Sequence, residues 1–531
     1  MLTPDAPTPT GALTRRQVSV AAALAGVVTA MVTLAVAEVA SLLLSGMGNP
    51  LLAVGSLIVD LVPAGFKSFI IELFDTADKL VLFLSLGIVV FVFAIAVGLL
   101  QLRRPPWGYV ALGVVGLVAV IAAVTRAEAT ALSAVPTLAG VAAGIFVLRI
   151  LLRRLEAWRA AVPRFRSIDA ATGRQVERRT FLLMTIATGV ASAVVGVGAR
   201  VMSAASAAVT EVRDALKLPA ASSAGPEIAA DATLDAPGIS SFITPNAEFY
   251  RIDTALQVPS IDPAEWSLRI TGMVDEEIEI GFDELLALPL QERLVTLSCV
   301  SNTVGGDLIG NAMWLGYPIR ELLARARPQA GADMVLSTSI DGFTASTPLD
   351  VLQDDATNAL LAVGMNGEPL PLEHGFPVRM VVPGLYGYVS ATKWVVEMKV
   401  TTFEADLAYW STRGWTERGP IKISSRIDTP TNNSRLDAGT IVIGGVAWSP
   451  HIGIAAVDVR IDGGAWRSAA LARTVTVDSW LQWSYAWDAG AGDHQIEVRA
   501  TDTEGLVQTS DYAPPAPDGS TGWHTITVGV G

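Results

Sequence analysis

Long apolar runs dominate the first 203 residues of the chain. An α-helix needs about 20 residues to cross a lipid bilayer, and the longest runs are close to that length or exceed it. They are residues 18–44, 80–102, 107–124, 135–152 and 181–201. A further run, 51–62, is short and is interrupted by Gly55 and Asp60, which favours a re-entrant or interfacial piece. The pattern predicts an all-α transmembrane bundle of five helices over residues 1–203.

The basic residues are distributed asymmetrically around these runs. The loops on one side contain most of them: Arg15, Arg16, Arg103, Arg104 and a cluster of arginines between residues 149 and 179. The alternate connections hold only Lys67, Lys79 and Arg126. Because loops rich in Lys and Arg stay in the cytoplasm, the N-terminus is predicted to be cytoplasmic. An odd number of crossings of the cell membrane then places everything after residue 201 outside the cytoplasm.

Beyond residue 203 the long apolar runs give way to short ones. Residues 204–237 are rich in Ala, Ser, Asp and Pro with weak apolar periodicity, which is typical of a linker. Over residues 238–420, alternating strands such as 266–271 are interleaved with helical patches, so an α+β domain is predicted. The helical patches are residues 282–288, 319–326 and 349–352.

The last part of the chain, residues 421–531, contains alternating apolar and polar runs separated by turns. The runs are residues 440–448, 456–464, 483–487, 494–500 and 523–530. Several short strands with tight turns in a segment of this length predict an all-β sandwich like that of immunoglobulin domains. The chain is therefore expected to be multi-domain, with all-α, α+β and all-β parts in that order.

Composition and charge agree with a membrane protein that carries an acidic second half. The mean hydropathy is +0.46 and 51% of the residues are hydrophobic, too apolar for an ordinary soluble protein. The net charge is −14. Residues 1–226 hold 19 Lys and Arg against 12 Asp and Glu, and the rest of the chain holds 18 against 39. An acidic second half argues against nucleic acid or an anionic membrane surface as its partner.

Cys299 is the one cysteine in the chain. It follows a short apolar run, residues 294–298, and opens a polar loop rich in glycine, a position at a strand end where functional groups are often found. It cannot form an intramolecular disulfide, so it is a buried small side chain, a reactive thiol or a metal ligand. Taken alone, the buried side chain is favoured. The surrounding sequence favours the metal ligand.

Two motifs, one that begins at this cysteine and one far downstream, resemble the molybdopterin domain of the sulfite oxidase family. One runs from Cys299 to Trp314, and the other reads Asn-Gly-Glu-Pro-Leu-Pro over residues 366–371 and continues through His374-Gly-Phe-Pro-Val-Arg379 to Lys393-Trp394. The resemblance extends from about residue 234 to the C-terminus. It implies a molybdenum–molybdopterin cofactor whose metal is held by the Cys299 thiolate, the catalytic and metal-binding group. A soft thiolate suits a transition metal.

The same resemblance implies a set of cofactor-binding residues. They are Asn246, Tyr250, Arg251, Cys299, Ser339, His374, Arg379, Ser390, Thr392 and Lys393. The guanidinium of Arg379 suits the pterin phosphate, which it can bind with two parallel hydrogen bonds. In isolation, the segment 244–251 would be a proline turn before a strand, and a His–Arg pair would be a surface ion pair. The loop 387–393 is one residue longer than in the sulfite oxidase form.

The activity that the resemblance implies is oxygen-atom transfer, with electrons exchanged through an external carrier, a quinone or a cytochrome. Sulfite oxidases place an arginine where this chain has Thr303, and a tyrosine where it has Phe343. A dianion needs that positive charge, so a small S-oxide or N-oxide is favoured over a sulfite-like substrate. The run 457–464 also resembles the family's dimerisation domain, which makes a homodimer possible.

The membrane half is expected to anchor the enzyme or to dock a partner. All four histidines, at positions 374, 451, 494 and 524, lie beyond the helices, as does Cys299. The helices thus lack the usual ligands of a haem or an iron–sulfur cluster. The alternative from another class is a non-catalytic membrane protein with a degenerate pterin fold and an immunoglobulin-like binding module outside the cytoplasm.

The segment Glu-Arg-Arg-Thr-Phe-Leu-Leu over residues 177–183 resembles a twin-arginine export signal placed inside the chain. Arginines that only fix the topology would explain the same residues, and both interpretations stay open. A cofactor inserted in the cytoplasm would have to cross with its domain already folded, which favours the export signal.

We expect the double substitution Arg178→Lys, Arg179→Lys to leave the downstream domain inside the cell. The positive charge is kept, so a topology set by charge alone would not change. The measurement is protease access to the C-terminal domain from the outside of intact cells. Unchanged access would contradict the export signal.

Overall fold

The computed structural model describes residues 14–44, 49–62, 78–125, 129, 131–160, 169–201, 204–234, 236–255 and 257–531. The chain divides into two compact units, Met1–Ala208 and Val209–Gly531. The first unit is helical over its described residues, and the second is built mainly of β-sheets.

Six α-helices lie wholly within the described residues of the first unit. They are α1 (Arg15–Leu43), α2 (Pro50–Leu61), α3 (Asp78–Arg103), α4 (Trp107–Val124), α5 (Val135–Ala160) and α6 (Asp169–Val201). Helix α1 begins with a capping box, in which Thr14 accepts a hydrogen bond from the Gln17 backbone and the Gln17 side chain bonds back to the Thr14 amide.

Helix α1 packs closely against α3 because small residues face each other. A Cβ added to Gly26 would lie 2.0 Å from the carbonyl oxygen of Ala94, and one added to Gly98 would lie 2.0 Å from that of Ala22. Side chains of this size let helix backbones approach each other closely, which is how helices associate in a membrane. The packing depends on these glycines.

Four helical segments among the described residues are long and apolar enough to cross a membrane. They are Arg15–Leu43, Val81–Arg103, Trp107–Val124 and Ala131–Arg159. The fifth predicted span, 181–201, lies in helix α6, and part of it lies outside the described side chains, so its crossing stays a prediction. The short run 51–62 forms helix α2, which is below the length of a membrane span.

Two sheets build the α+β part of the second unit. The first has the order β2-β1-β10-β5-β6. Its strands are β1 (Ser267–Gly272), β2 (Ile278–Gly281), β5 (Met334–Ser339), β6 (Thr344–Pro348) and β10 (Val395–Thr401). The predicted helical patches are present as α8 (Phe282–Ala287), α9 (Ile319–Ala326) and α10 (Leu349–Gln353). Leu268 and Ile270, on one face of β1, are fully buried in the core beside this sheet, as period-two alternation requires.

The second sheet has the order β3-β4-β7-β8, with β9 paired to β7. Its strands are β3 (Gln291–Ser298), β4 (Ile309–Pro318), β7 (Leu360–Met365), β8 (Glu368–Pro369) and β9 (Arg379–Val381). Strands β3 and β4 are antiparallel, and the last paired residues are Ser298 and Ile309. Residues 299–308 connect these strands, and we call them the cysteine loop.

The C-terminal residues form the predicted sandwich of two sheets, β11-β13-β17-β16 and β12-β19-β18-β14-β15. The strands are β11 (Ser424–Thr429), β12 (Arg435–Leu436), β13 (Gly439–Trp448), β14 (Ile454–Ile461), β15 (Arg467–Ser468), β16 (Ala470–Leu471), β17 (Leu481–Ala489), β18 (Gly492–Asp502) and β19 (His524–Val530). Trp483 of one sheet and Val498 and Val528 of the other are fully buried in a common core. The α+β and all-β predictions are confirmed.

The sandwich is joined to the α+β part by buried contacts within the second unit. The Trp480 amide donates to the Thr296 hydroxyl oxygen at 2.8 Å, and its indole donates to the Phe242 carbonyl at 2.9 Å. Trp480 also shares a buried apolar cluster with Leu294 of β3 and Val446 of β13. Strand β3, which leads to the cysteine loop, is therefore covered by the sandwich.

Residues 204–237, treated above as a linker, are not a free tether over their described part. They contain helix α7 (Ala204–Ala215). The Ser222 hydroxyl donates to the Leu290 carbonyl at 2.7 Å, and Ser223 pairs with Gln291 at the start of β3. The alanines of this tract are good helix formers, and its serines supply hydroxyl donors. The tract pairs with β3, the edge strand of its sheet. Composition alone does not reveal this partner.

We expect Gly316→Ala to destabilise the second unit. Gly316 lies where β4 shifts register against β7, and an added Cβ would lie 2.3 Å from the Leu361 carbonyl oxygen. Overpacking of this kind costs about 1–3 kcal/mol, and chemical denaturation of the full chain in detergent would show it as a lower unfolding midpoint. Gly490→Ala is the control, because nothing lies within 4 Å of its added Cβ. Equal midpoints for the two variants would contradict the close approach.

Candidate active site

Cys299 lies directly after the last paired residue of β3. Its amide donates to the Leu308 carbonyl at 2.9 Å, which closes the base of the cysteine loop. The side chain is 8% exposed. Burial raises the pKa of the thiol, while hydrogen bonds from Ser301 and Val300 act to lower it. The sulfur is thus held at a strand end in a nearly closed environment.

Asn302 holds the cysteine loop in shape from within. Its amide donates to the Cys299 carbonyl at 3.1 Å, and its side-chain oxygen accepts from the Leu308 amide at 3.0 Å. The Gly306 amide donates to the Thr303 carbonyl at 2.9 Å. A Cβ on Gly306 would lie 2.5 Å from the Asn302 side-chain oxygen, so the loop leaves no room for a larger residue there. Displacement of Gly306 would therefore disturb Asn302, which is bonded to Cys299.

Two phenols, those of Tyr250 and Tyr386, lie within electrostatic range of Cys299. Burial and then the negative charge of the Cys299 thiolate raise the pKa of Tyr250. Burial raises the pKa of Tyr386 to about 12, and the Cys299 charge acts in the same direction. The Tyr250 hydroxyl makes no hydrogen bond within the described part of the chain, and the Tyr386 oxygen accepts only a long one, 3.4 Å, from the Lys422 amide. Both phenols can therefore donate to a ligand.

The sequence analysis predicted Tyr250 as a cofactor-binding residue but missed Tyr386. Tyr386 follows the turn at Pro383 and Gly384, inside the stretch between Arg379 and Lys393 that carries the resemblance. Its place in a loop just beyond a buried strand was the available signal.

The Arg379 guanidinium is buried without a carboxylate partner among the described residues. It donates to the carbonyls of His374 at 3.2 Å, Met380 at 3.3 Å and Ala391 at 3.5 Å, and it lies 5.0 Å from the centre of the Trp314 ring. Burial lowers its pKa to about 10, so it remains charged at neutral pH. A buried charge without a counter-charge is costly, and an anionic ligand would remove that cost.

His374 is buried beside this charge. Its Nε2 atom lies 3.2 Å from the Asn246 carbonyl, and its ring makes an edge contact with Phe249. Burial, and after it the charges of Arg379 and Lys393, lowers the pKa of His374 to about 4. His374 is therefore neutral at pH 7 and contributes hydrogen bonds and no charge.

Lys393 and Arg251 share a single carboxylate. Asp253 accepts from Lys393 at 2.7 Å and from Arg251 at 2.9 Å. Burial lowers the pKa of Lys393 to about 8, although Asp253 opposes that change. Two cations on one carboxylate, next to Arg379, leave the pocket with excess positive charge, which suits an anion such as a phosphate.

The predicted hydroxyl ligands differ in how they are occupied. The Ser339 hydroxyl is buried with no hydrogen-bond partner in the described structure, so it is free to contact a ligand. The Thr392 hydroxyl lies 2.7 Å from that of Ser337, and Ser390 donates to the Leu385 and Tyr386 carbonyls. The Thr392 and Ser390 hydroxyls thus bond within the protein and stabilise the loop 387–393. Their contact with a pterin stays a prediction.

The donor set fits a molybdenum–pterin cofactor better than a metal bound by protein alone. No group of three or more His, Cys, Asp or Glu side chains that could hold a metal ion occurs in the described part of the chain. A metal at Cys299 would therefore take further ligands from a bound group, and an anion would balance the charge of Arg379. A dithiolene pterin with a phosphate would provide both.

We expect Arg379→Gln to weaken retention of the cofactor. The loss of a charge-assisted contact to a phosphate corresponds to about a tenfold to hundredfold weaker binding. Molybdenum content and the fluorescence of pterin released on denaturation measure the effect. Arg269→Gln, which alters an exposed pair with Glu397, is the control. If the Arg379→Gln variant retains a full complement of cofactor, the pocket does not bind the phosphate.

Known proteins match the two parts of the second unit. Residues 255–410 match the family model of the oxidoreductase molybdopterin binding domain, and residues 424–528 match the bacterial Ig domain. Sulfite oxidase from rat mitochondria is 29% identical over 341 residues, which are 55% of this chain and 62% of the relative. The human enzyme is 29% identical, over 52% of this chain and 58% of its own length. The chain thus spans about 60% of the length of these relatives.

Two further proteins are similar over parts of the chain. The crystal structure of sulfane dehydrogenase SoxCD from Paracoccus pantotrophus has a TM-score of 0.48 and 25% identity over 54% of this chain and 82% of that one. The uncharacterized oxidoreductase YuiH of Bacillus subtilis is 34% identical over 158 residues, which are 30% of this chain and 76% of the relative. The similarity to YuiH and to the sulfite oxidases, together with the matched molybdopterin domain, shows that the chain belongs to the sulfite oxidase family of molybdopterin oxidoreductases.

Proposed function

We propose that the chain is a membrane-anchored molybdenum oxidoreductase that transfers an oxygen atom to or from a small substrate outside the cytoplasm. The observation that carries the proposal is the position of Cys299. The single cysteine of the chain is buried at a strand end beside two phenols, in a domain that also contains a positively charged buried pocket. When bound there, the cofactor supplies two-electron oxygen-atom transfer.

The protein's own residues have distinct roles in this proposal. Cys299 provides the thiolate to the metal, and Arg379 and Lys393 provide positive charge for the pterin phosphate. Neutral His374 contributes a ring nitrogen to the same pocket. Tyr250 and Tyr386 are protonated at neutral pH, as an ordinary tyrosine is, and burial raises both pKa values further. Each phenol can then donate a hydrogen bond to the oxygen atom of a substrate.

We favour a small S-oxide or N-oxide as the substrate over sulfite. Thr303 stands in the cysteine loop where sulfite oxidases have an arginine. Phe343 stands where they have a tyrosine, so this position has no hydroxyl, and the Phe343 ring packs against Tyr409 with 5.8 Å between the ring centres. The phenols of Tyr250 and Tyr386, which sense the charge of Cys299, are neutral hydrogen-bond donors, and they suit the oxygen atom of a neutral S-oxide or N-oxide better than a dianion. Reduction of such a substrate takes two electrons and two protons and releases water. The electrons come from an external carrier, a quinone or a cytochrome.

The four apolar helices support the anchoring part of the proposal. The positions of the arginines support a cytoplasmic N-terminus and an exported catalytic unit. In this organisation residues 1–203 lie in the lipid bilayer, 204–237 connect, 238–420 bind the cofactor and 421–531 form the sandwich. The compact units of the structure divide between Ala208 and Val209, close to the first of these boundaries. Homodimerisation through the sandwich also belongs to the proposal.

We expect Cys299→Ser to keep the fold and lose turnover by more than about 100-fold, because it removes the protein's soft ligand to the metal. The assays are reduction of methionine sulfoxide by a reduced dye and oxidation of sulfite by an oxidised dye. Molybdenum content and the electron paramagnetic resonance spectrum of the purified chain accompany them. Activity near that of the wild type would refute the role of Cys299. A wild-type chain that holds no molybdenum after expression with ample cofactor would support a non-catalytic binding module instead.

A further inference from the structure

We propose that the C-terminal sandwich positions the metal-binding cysteine, with Arg426 and His524 as the positioning residues. The proposal rests on the proposed function, in which Cys299 is the metal ligand. It assigns to the sandwich a part in the active site in addition to any role in dimerisation. The supporting contacts all lie within the second compact unit.

Arg426 connects three segments through one buried guanidinium. It lies in β11 and is 8% exposed. Its Nε atom donates to Asp428 at 2.6 Å, one terminal nitrogen donates to the Ser240 hydroxyl at 2.8 Å, and the other donates to the Gly306 carbonyl at 2.9 Å. The Asp428 side chain is 7% exposed and accepts from the Ser240 amide at 2.9 Å. Only the bond to Gly306 reaches the cysteine loop, and it comes from a charged donor, which makes it stronger than a neutral one.

His524 packs against the neighbouring residue of the same loop. Its Nδ1 atom accepts from the Ile427 amide at 2.9 Å, which places the ring proton on Nε2. A Cβ on Gly305 would lie 2.3 Å from both Nε2 and Cδ2 of the ring. Gly305 has a φ of +77°, so both its backbone conformation and the ring beside it require glycine. The ring therefore limits movement of the loop from one side.

A third contact joins the sandwich to the centre of the loop. The Ser520 hydroxyl donates to the Asn302 carbonyl at 2.6 Å. Asn302 bonds through its own amide to the Cys299 carbonyl, and through its side chain to the Leu308 amide. The Leu308 carbonyl in turn accepts from the Cys299 amide. The sandwich thus contacts the cysteine loop at residues 302, 305 and 306. Within the loop, Asn302 binds the Cys299 carbonyl and Leu308 binds the Cys299 amide.

The single cysteine makes this proposal directly measurable. In the full-length chain purified without cofactor, a thiol reagent such as dithionitrobenzoate reacts only with Cys299. Because the thiol is buried, its rate of reaction depends on how often the loop opens. We expect Arg426→Gln to accelerate the reaction about tenfold, the factor that corresponds to about 1.4 kcal/mol for a hydrogen bond from a charged group. His524→Ala is expected to act in the same direction.

Arg499→Gln is the matched control. Arg499 lies in the same sandwich, is partly buried and pairs with Asp458 at 3.2 Å. Among the described residues it contacts Asp458 and the Trp466 ring, both outside the cysteine loop. If Arg426→Gln also lowers the melting temperature, Ser520→Ala serves as a milder variant that removes one neutral hydrogen bond, with an expected acceleration of about threefold. Arg426→Lys, which keeps one charged donor, is expected to react at an intermediate rate.

Wild-type rates in Arg426→Gln and Ser520→Ala, or an equal acceleration in Arg499→Gln, would overturn the proposal. The thiol assay needs no metal, so its result is independent of whether the proposed function holds. In the loaded enzyme, we expect Arg426→Gln to change the line shape of the molybdenum electron paramagnetic resonance signal, while Arg499→Gln leaves it unchanged. An altered signal in both Arg426→Gln and Arg499→Gln would point to general destabilisation of the sandwich and would count against a positioning role of Arg426.

Discussion

Burial of the Arg379 guanidinium among backbone carbonyls and the Trp314 ring leaves a positive charge that no described carboxylate neutralises. The pocket around it depends on that charge. It helps to keep His374 neutral, and it is reinforced by Lys393 and Arg251, which share Asp253. A folded chain can maintain such a site only if the surrounding packing stabilises it or an anion completes it. The charge of this pocket therefore suits an anionic cofactor, and the proposed metal ligand, Cys299, lies in the same domain.

Much of the fold could be predicted because it follows from local pattern. Alternation located β13, β17, β18 and β19, and helix α9 begins and ends at the predicted residues. Candidate cofactor residues such as His374 and Arg379 could be named because they stand in one continuous motif, and their contact with the cofactor stays a prediction. Arg426 and His524 could not, since each meets the cysteine loop across more than a hundred residues of sequence. The order in residues 204–237 was also hidden, because it depends on β3 as a partner.

The second unit shows how an all-β module becomes part of the scaffold of a catalytic domain. Trp480 and the apolar cluster with Leu294 fix the sandwich to β3, and Arg426, Ser520 and His524 then reach the loop that follows this strand. Polar contacts of this kind are worth little in water, but they gain strength where water is excluded. Packing supplies that exclusion, and the hydrogen bonds fix the geometry.

A chain with one thiol can form only a few products under oxidising conditions. It has no second cysteine with which to form a wrong internal crosslink, so oxidation can trap it only by joining it to another molecule or by adding oxygen to the sulfur. Both routes start from an accessible thiolate, and the 8% exposure of Cys299 restricts access. The enclosure around Cys299 therefore also limits oxidation of the thiol in any copy of the chain that holds no metal.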